Sequence, residues 1–228
     1  MPKSPTFMAH PSPNFNERAR SIDTILLHYT AGELKQSLDR LCDPNGSNRV
    51  SAHYVVDRKG RIYRLVDEKK RAWHAGVSQW KGLSDINSAS IGIEIVNIGQ
   101  LPDGKYDPYT EPQIKAVIAL CKDIKTRHKI RNVLGHSDVA VGRKVDPGEH
   151  FPWKRLSEAG LGFWTDDLLD PKLSDRAMLE TIGYDVSDVR LALTAFQRHF
   201  YTEALANIGS CTRARLAAVF KKALGQGN

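Results

Sequence analysis

The sequence predicts an α/β fold, a mixed central β-sheet flanked by helices, followed by a small C-terminal three-helix domain. Short β-prone apolar runs alternate with helical patterns up to about residue 170. Two of those runs, 22–28 and 91–96, are almost continuously apolar, as strands covered on both faces are. Beyond Asp170-Pro171 only helical periods remain. At 228 residues the chain fits one large domain and a small appendage. The expected division is an extended segment 1–20, an α/β domain 21–170 and a helical domain 171–228.

In chain order, Pro2, Pro5, Pro11 and Pro13 keep residues 1–20 out of helix, so an extended lead-in is expected. Ile22 to His28 is the first buried strand. Leu34, Leu38 and Leu41 fall on one face of a helix over 33–41, and Asp43-Pro44-Asn45-Gly46-Ser47 is loop. His53–Asp57 and Arg61–Val66 flank Arg58-Lys59-Gly60 and predict a hairpin. Residues 67–90 show no steady period and are expected to form a long, ordered, functional loop. Ile91 to Val96 is a strand interrupted by one carboxylate, Glu94. A helix over 111–129 starts at Thr110, an N-cap residue, with Pro112 in its first turn. Asn132–Leu134 is a short strand leading into Gly135-His136-Ser137-Asp138. Residues 139–170 are expected to be mostly loop, with a short helix near 152–158. Three helices follow, about 174–182, 187–201 and 211–223, broken by Gly183-Tyr184-Asp185 and Asn207-Ile208-Gly209-Ser210.

Composition narrows the function classes. With 41% hydrophobic and 26% charged residues the chain is of ordinary globular type. No apolar run approaches the ~18–20 residues of a membrane span, and the polar start lacks the apolar run of a secretory signal. A cytoplasmic protein is expected, or a periplasmic one if a signal has been removed. Cys42, Cys121 and Cys211 are odd in number and show no CxxC spacing, so small buried or half-buried thiols are expected, without disulfides or a cysteine zinc site. The net charge of +7 favours anionic partners. Seven Lys and Arg against five Asp and Glu give +2 for residues 173–228, leaving +5 for 1–172. No basic stripe interleaved with aromatics stands out, so a nucleic-acid partner is not expected.

The residues that carry chemistry sit at strand ends. His28 closes the first buried strand, His136 follows Gly135 at the end of another, and Asp146 lies ten residues further on. Two imidazoles and a carboxylate form a three-ligand zinc set that leaves a fourth position for water. Spacing alone does not decide between that set and ordinary hydrogen-bonded histidines. Glu94, between Ile93 and Ile95, is either an outward-facing strand residue or a buried base with a raised pKa. Lys144 is either a solvated loop lysine or a cation beside an oxyanion.

Several blocks, in order, resemble the zinc-dependent N-acetylmuramoyl-L-alanine amidases. These are the type 2 amidases of the AmpD/AmiD-like kind, related to phage amidase-lysozymes and peptidoglycan recognition proteins. The blocks are Leu26-Leu27-His28-Tyr29-Thr30, Ser51-Ala52-His53-Tyr54-Val55-Val56, Ala72-Trp73-His74-Ala75-Gly76-Val77-Ser78 and Ser90-Ile91-Gly92-Ile93-Glu94-Ile95-Val96-Asn97. Gly135-His136-Ser137-Asp138 and Gly142-Arg143-Lys144-Val145-Asp146-Pro147-Gly148 complete the set. The resemblance spans about residues 20–160. It implies Zn2+ on His28, His136 and Asp146, a catalytic role for Glu94 and an oxyanion role for Lys144. It further implies substrate contacts from His74, Trp73, Tyr29, Asn97 and His53, the last with a structural role as the alternative.

The implied reaction is hydrolysis of the amide between N-acetylmuramic acid, or its 1,6-anhydro form, and L-alanine. The expected partners are anhydro-muropeptides or murein, bound by a monomer in peptidoglycan recycling or turnover. A non-catalytic peptidoglycan sensor on the same fold is the alternative. Ile182-Gly183-Tyr184 and Ala192 to Phe200 resemble a peptidoglycan-binding helical module. Cys211-Thr212-Arg213-Ala214-Arg215-Leu216 departs from that module's acidic ending, which leaves a structural prop as the other expectation.

Overall fold

A computed structural model describes residues 5–201 and 208–225. Pro2 and Asn207, both singled out above as chain breakers, lie outside the described residues. The elements run β1 (Phe7–Ala9), β2 (Phe15–Glu17), β3 (Thr24–Tyr29), α1 (Leu34–Cys42), β4 (Tyr54–Val56), β5 (Ile62–Arg64), β6 (Lys70–Ala72), β7 (Gln79–Trp80), β8 (Leu83–Ser84), α2 (Ile86–Ala89) and β9 (Ser90–Ile95). They continue with α3 (Glu111–Arg127), β10 (Asn132–Gly135), α4 (His136–Val139), α5 (Trp153–Glu158), α6 (Asp175–Ile182), α7 (Val189–Phe200) and α8 (Ser210–Gly225).

The main sheet has the order β1-β5-β4-β9-β3-β10. It is mixed: β4, β9, β3 and β10 run parallel, while β5 is antiparallel to β4. Ile25, Leu26 and Leu27 of β3 and Ile91 and Ile93 of β9 are fully buried, as their continuous apolar runs predict. Four parallel strands end on the same side of the sheet. The chain therefore leaves β3, β9 and β10 into one crevice, the usual ligand position in open α/β sheets.

Helix α1 covers one group of strand residues with Leu38 and Leu41 against Val55, Tyr63 and Leu65. Helix α3 packs Ile114, Val117, Leu120 and Ile124 into the larger core. Its start is the expected one: Thr110 accepts from Gln113 N–H, and Gln113 returns the bond to the Thr110 backbone. Met178, Leu179, Phe196, Phe200 and Leu216 of the C-terminal helices belong to the same apolar cluster as the central strands.

Three expectations need correction. The lead-in is not merely extended: β1 adds to the main sheet beside β5, and β2 pairs with β6. Prolines at 5, 11 and 13 stop helix but leave edge pairing open. Residues 67–90 are not one loop but contain β6, β7, β8 and α2, each too short to show a period. Of the thiols, Cys121 is buried and Cys42 half-buried, but Cys211 is exposed. Among the described residues no helix is long and apolar enough to cross a membrane.

Candidate active site

His28 lies at the end of β3, and His136 is the first residue after β10. Asp146 arrives on the following loop, which is tied back where Ser137 N–H donates to the Asp146 carbonyl at 2.9 Å. The Asp146–Pro147 peptide is cis. The two Nδ1 atoms of His28 and His136 are 3.0 Å apart, and each is 3.1 Å from Asp146 Oδ2. All three residues are buried.

Their outer contacts settle which nitrogens carry protons. His136 Nε2 lies 2.9 Å from the Ala75 carbonyl, which can only accept, so the proton is on Nε2 and the Nδ1 lone pair faces inward. His28 is fixed by a longer relay. Ser90 Oγ donates to the Ile86 carbonyl at 2.6 Å, leaving its lone pair for His74 Nε2–H at 3.4 Å. His74 Nδ1 then accepts from His28 Nε2–H at 3.0 Å, and the His28 Nδ1 lone pair also faces the centre.

Three acceptors thus converge with no proton between them, an arrangement that repels itself unless a cation sits there. Tetrahedral zinc ligands at ~2.0–2.1 Å stand about 3.3 Å apart, close to this triangle. These residues fit a metal ion, and they are the set of that kind found among the described residues. Burial, with help from His136, pushes the His28 imidazole down to about 4, so it is neutral and ready to ligate.

Glu94 stands directly beside His28 in the β3–β9 register. Its Oε2 is buried without a hydrogen-bond partner in the described structure. Burial first, and the Asp146 charge second, raise its carboxyl well above the ordinary range. Glu94, Lys144, Tyr29 and Trp73 line, with the three ligands, a cleft of about 500 Å3. Gln36, Arg40 and Arg143 add polar and cationic walls.

The remaining candidates separate into two groups. Trp73 and Tyr29 reach the cleft half-buried, with Arg49 stacked over the Trp73 ring at 5.1 Å. His74 borders it too, but its ring nitrogens are engaged by His28 and Ser90. His53 and Asn97 are not among the residues that line the cleft, and His53 takes the structural position expected of it as the alternative. His53 is fully buried; its Nδ1 accepts from Gly92 N–H, and its Nε2 reaches the Lys70 carbonyl. Asn97 donates to the Asp107 carbonyl and accepts from Gly99 N–H, bracing its own loop.

Sequence reasoning overlooked Ser90, Gly92, Asn87 and Arg40. A Cβ on Gly92 would lie 2.4 Å from His74 Cγ, so the glycine makes the room in which the imidazole lies. A glycine inside a buried strand is the signal that marks such an approach. Asn87 Oδ1 accepts from both His74 and Ala75 N–H groups and orients that turn.

A mixed sheet that gathers two imidazoles, a ligand-type carboxylate and a second, unpaired carboxylate at the mouth of a cleft defines a hydrolase with a metal-type centre. The chain belongs to the N-acetylmuramoyl-L-alanine amidase family, whose profile matches residues 18–149, and it is an amidase of that class. It is 40% identical over 210 residues to the N-acetylmuramoyl-L-alanine amidase AmiD of Escherichia coli, covering 78% of this chain and 75% of that protein. It is 33% identical over 165 residues to the 1,6-anhydro-N-acetylmuramyl-L-alanine amidase AmpD of Haemophilus influenzae, covering 63% of this chain and 86% of that one. Among solved structures, the complex of E. coli AmiD with anhydro-N-acetylmuramic acid-L-Ala-D-gamma-Glu-L-Lys superposes with a TM-score of 0.77 at 36% identity. That match covers 91% of this chain and 92% of the other.

Proposed function

We propose that this protein is a zinc hydrolase cleaving the amide between N-acetylmuramic acid, in particular its 1,6-anhydro form, and L-alanine of peptidoglycan fragments. The observation that carries the reading is the convergence of three unprotonated, buried acceptors from His28, His136 and Asp146 beside Glu94. Zinc held by His28 Nδ1, His136 Nδ1 and the Asp146 carboxylate would supply Lewis acidity, lowering a water's pKa toward 7 and polarising the substrate carbonyl.

The chain's own groups do the rest. Glu94, half-buried and with a buried, orphaned oxygen, accepts a proton from the attacking water and returns it to the leaving amine of L-alanine. Its raised pKa suits both transfers. Lys144, at the cleft, supplies positive charge as the carbonyl oxygen becomes anionic. Arg40 and Arg143 give the cleft a basic wall suited to the carboxylates of a peptide stem. His74, through its bond to His28, keeps that ligand's lone pair turned inward.

The near full-length likeness to an amidase solved with a soluble anhydro-muropeptide favours such fragments as substrate. The test compares purified protein on an anhydro-muramyl tripeptide and on intact murein, with and without chelator. Release of the L-alanyl amine from the soluble fragment, abolished by chelator and restored by zinc, is expected. Binding of the fragment without any hydrolysis, with zinc present, would instead identify a non-catalytic sensor.

A further inference from the structure

We propose that the C-terminal helices brace the metal centre, with Asp138, Tyr184, His199 and Leu191 as positioning residues that hold the segment 136–146 in place. The inference rests on the metal reading above. That segment begins with one ligand, His136, and ends with another, Asp146. It leaves β10, which is an edge strand of the main sheet. His28, by contrast, sits on β3, an inner strand paired with β10 as far as Leu27 and with β9 at His28 itself. The sheet alone therefore fixes His28 far better than the other two ligands.

The C-terminal helices take hold of this segment at two points. The first is Asp138, which is wholly buried. Its Oδ2 accepts from Gly135 N–H at 2.8 Å, capping the turn that presents His136, and also lies 2.7 Å from His199 Nδ1 on α7. Its Oδ1 accepts from the Tyr184 hydroxyl at 2.8 Å. His199 is itself clamped, stacked on Trp153 at 3.9 Å and 13°. A buried carboxylate needs each of these donors, so the position of the His136 turn is tied to α7 and to Tyr184, two residues beyond α6. The second point is Gly142, where a Cβ would come within 2.7 Å of Leu191 Cδ1 on α7. Gly142 has φ +71, a left-handed conformation that favours glycine. Leu191 thus rests on the loop that carries Lys144 and Asp146.

Packing between two parts of a chain would by itself explain stability but not metal affinity, and the test separates the two. Zinc Kd and zinc release rate are measured by chelator competition on the full chain, alongside Tm of the metal-free protein. The variants are Tyr184→Phe with His199→Gln, and separately Leu191→Ala. Leu216→Ala serves as the control, since it removes a buried α8 side chain of the same cluster. Loss of an outer partner of a metal ligand commonly weakens binding by 10–100-fold. We expect the double variant to raise zinc Kd about tenfold and Leu191→Ala to speed zinc release several-fold. Leu216→Ala should lower Tm while holding zinc like the wild type. Unchanged zinc binding in both test variants, or equal weakening by Leu216→Ala, would overturn the brace. Should the double variant not fold, Leu191→Ala decides, because that side chain is 44% exposed. Wild-type protein that takes up no zinc would defeat the metal reading itself, a result distinct from either.

Discussion

At the scale of single residues, proton placement matters as much as position. Ala75 can only accept from His136, and Ser90 orders the relay that ends at His28, so both inward lone pairs follow from groups outside the centre. Glu94→Gln preserves shape and removes the base. It should leave zinc stoichiometry at the wild-type level while lowering kcat by about 10²–10⁴, the usual range for a general acid–base. Metal analysis and steady-state rates on the same preparation check this, and near wild-type kcat would exclude Glu94 as the base. Gly92→Ala should push the His74 ring off its place and weaken zinc binding about 10–100-fold. Zinc Kd by chelator competition is the readout, and an unchanged Kd would remove His74 from the relay. His28, His136 and Glu94 were legible because each breaks a local pattern, a polar group closing or interrupting an apolar strand, whereas Asp146 lies in a polar loop and stood out only through the family resemblance. His53 and Asn97 are harder to assign for a related reason. A buried polar residue that braces backbone looks, in sequence, like one that faces ligand.

At the scale of elements, the strongly periodic pieces could be read closely. The β3 and β9 runs, the Thr110 cap of α3 and the face of α1 all emerge within a few residues of expectation. Strands and helices of two to four residues between 67 and 90 could not, since so few residues carry neither period. Their order comes from distant partners. Arg18 shows how: its guanidinium donates to the carbonyls of Asn87, Ser88 and Ser90 and to that of Lys70. One side chain from the lead-in thereby ties α2, β6 and the start of β9, and α2 in turn presents Asn87 to His74. Arg18→Ala leaves those carbonyls short of donors and should destabilise the fold by about 2–3 kcal/mol. Urea unfolding measures it, and a loss within error would mean water replaces the guanidinium freely.

At the scale of the whole molecule, the buried imidazoles link stability to pH. Burial, followed by His136, lowers His28 to about 4; burial, followed by the Arg18 charge, lowers His53 to about 3. His74 is lowered as well, by burial and then His28. Unfolded histidines titrate near 6.5, so between about pH 6.5 and 4 the unfolded chain binds protons that the folded one does not. Stability of the metal-free protein should therefore fall as pH drops from 7.5 to 5, by about 1–2 kcal/mol per buried imidazole. Glu94, raised by burial, works in the opposite sense, so urea midpoints of Glu94→Gln at the two pH values test this, and equal midpoints there would show that the imidazoles titrate alike in both states.

The molecule also joins its parts differently from a chain of separate modules. The helical periods beyond residue 170 were plain in the sequence, but their shared apolar cluster with the sheet was not. Periodicity shows that a helix has a buried face, not which surface covers it. The central claim is that His28, His136 and Asp146 hold one zinc ion on which amide hydrolysis depends. The most direct measurement titrates zinc into metal-free protein and follows L-alanyl amine release from an anhydro-muramyl peptide. Turnover should rise in proportion to added zinc and level off at one equivalent per chain. Full turnover before any zinc is added, or one bound equivalent with no turnover, would contradict it.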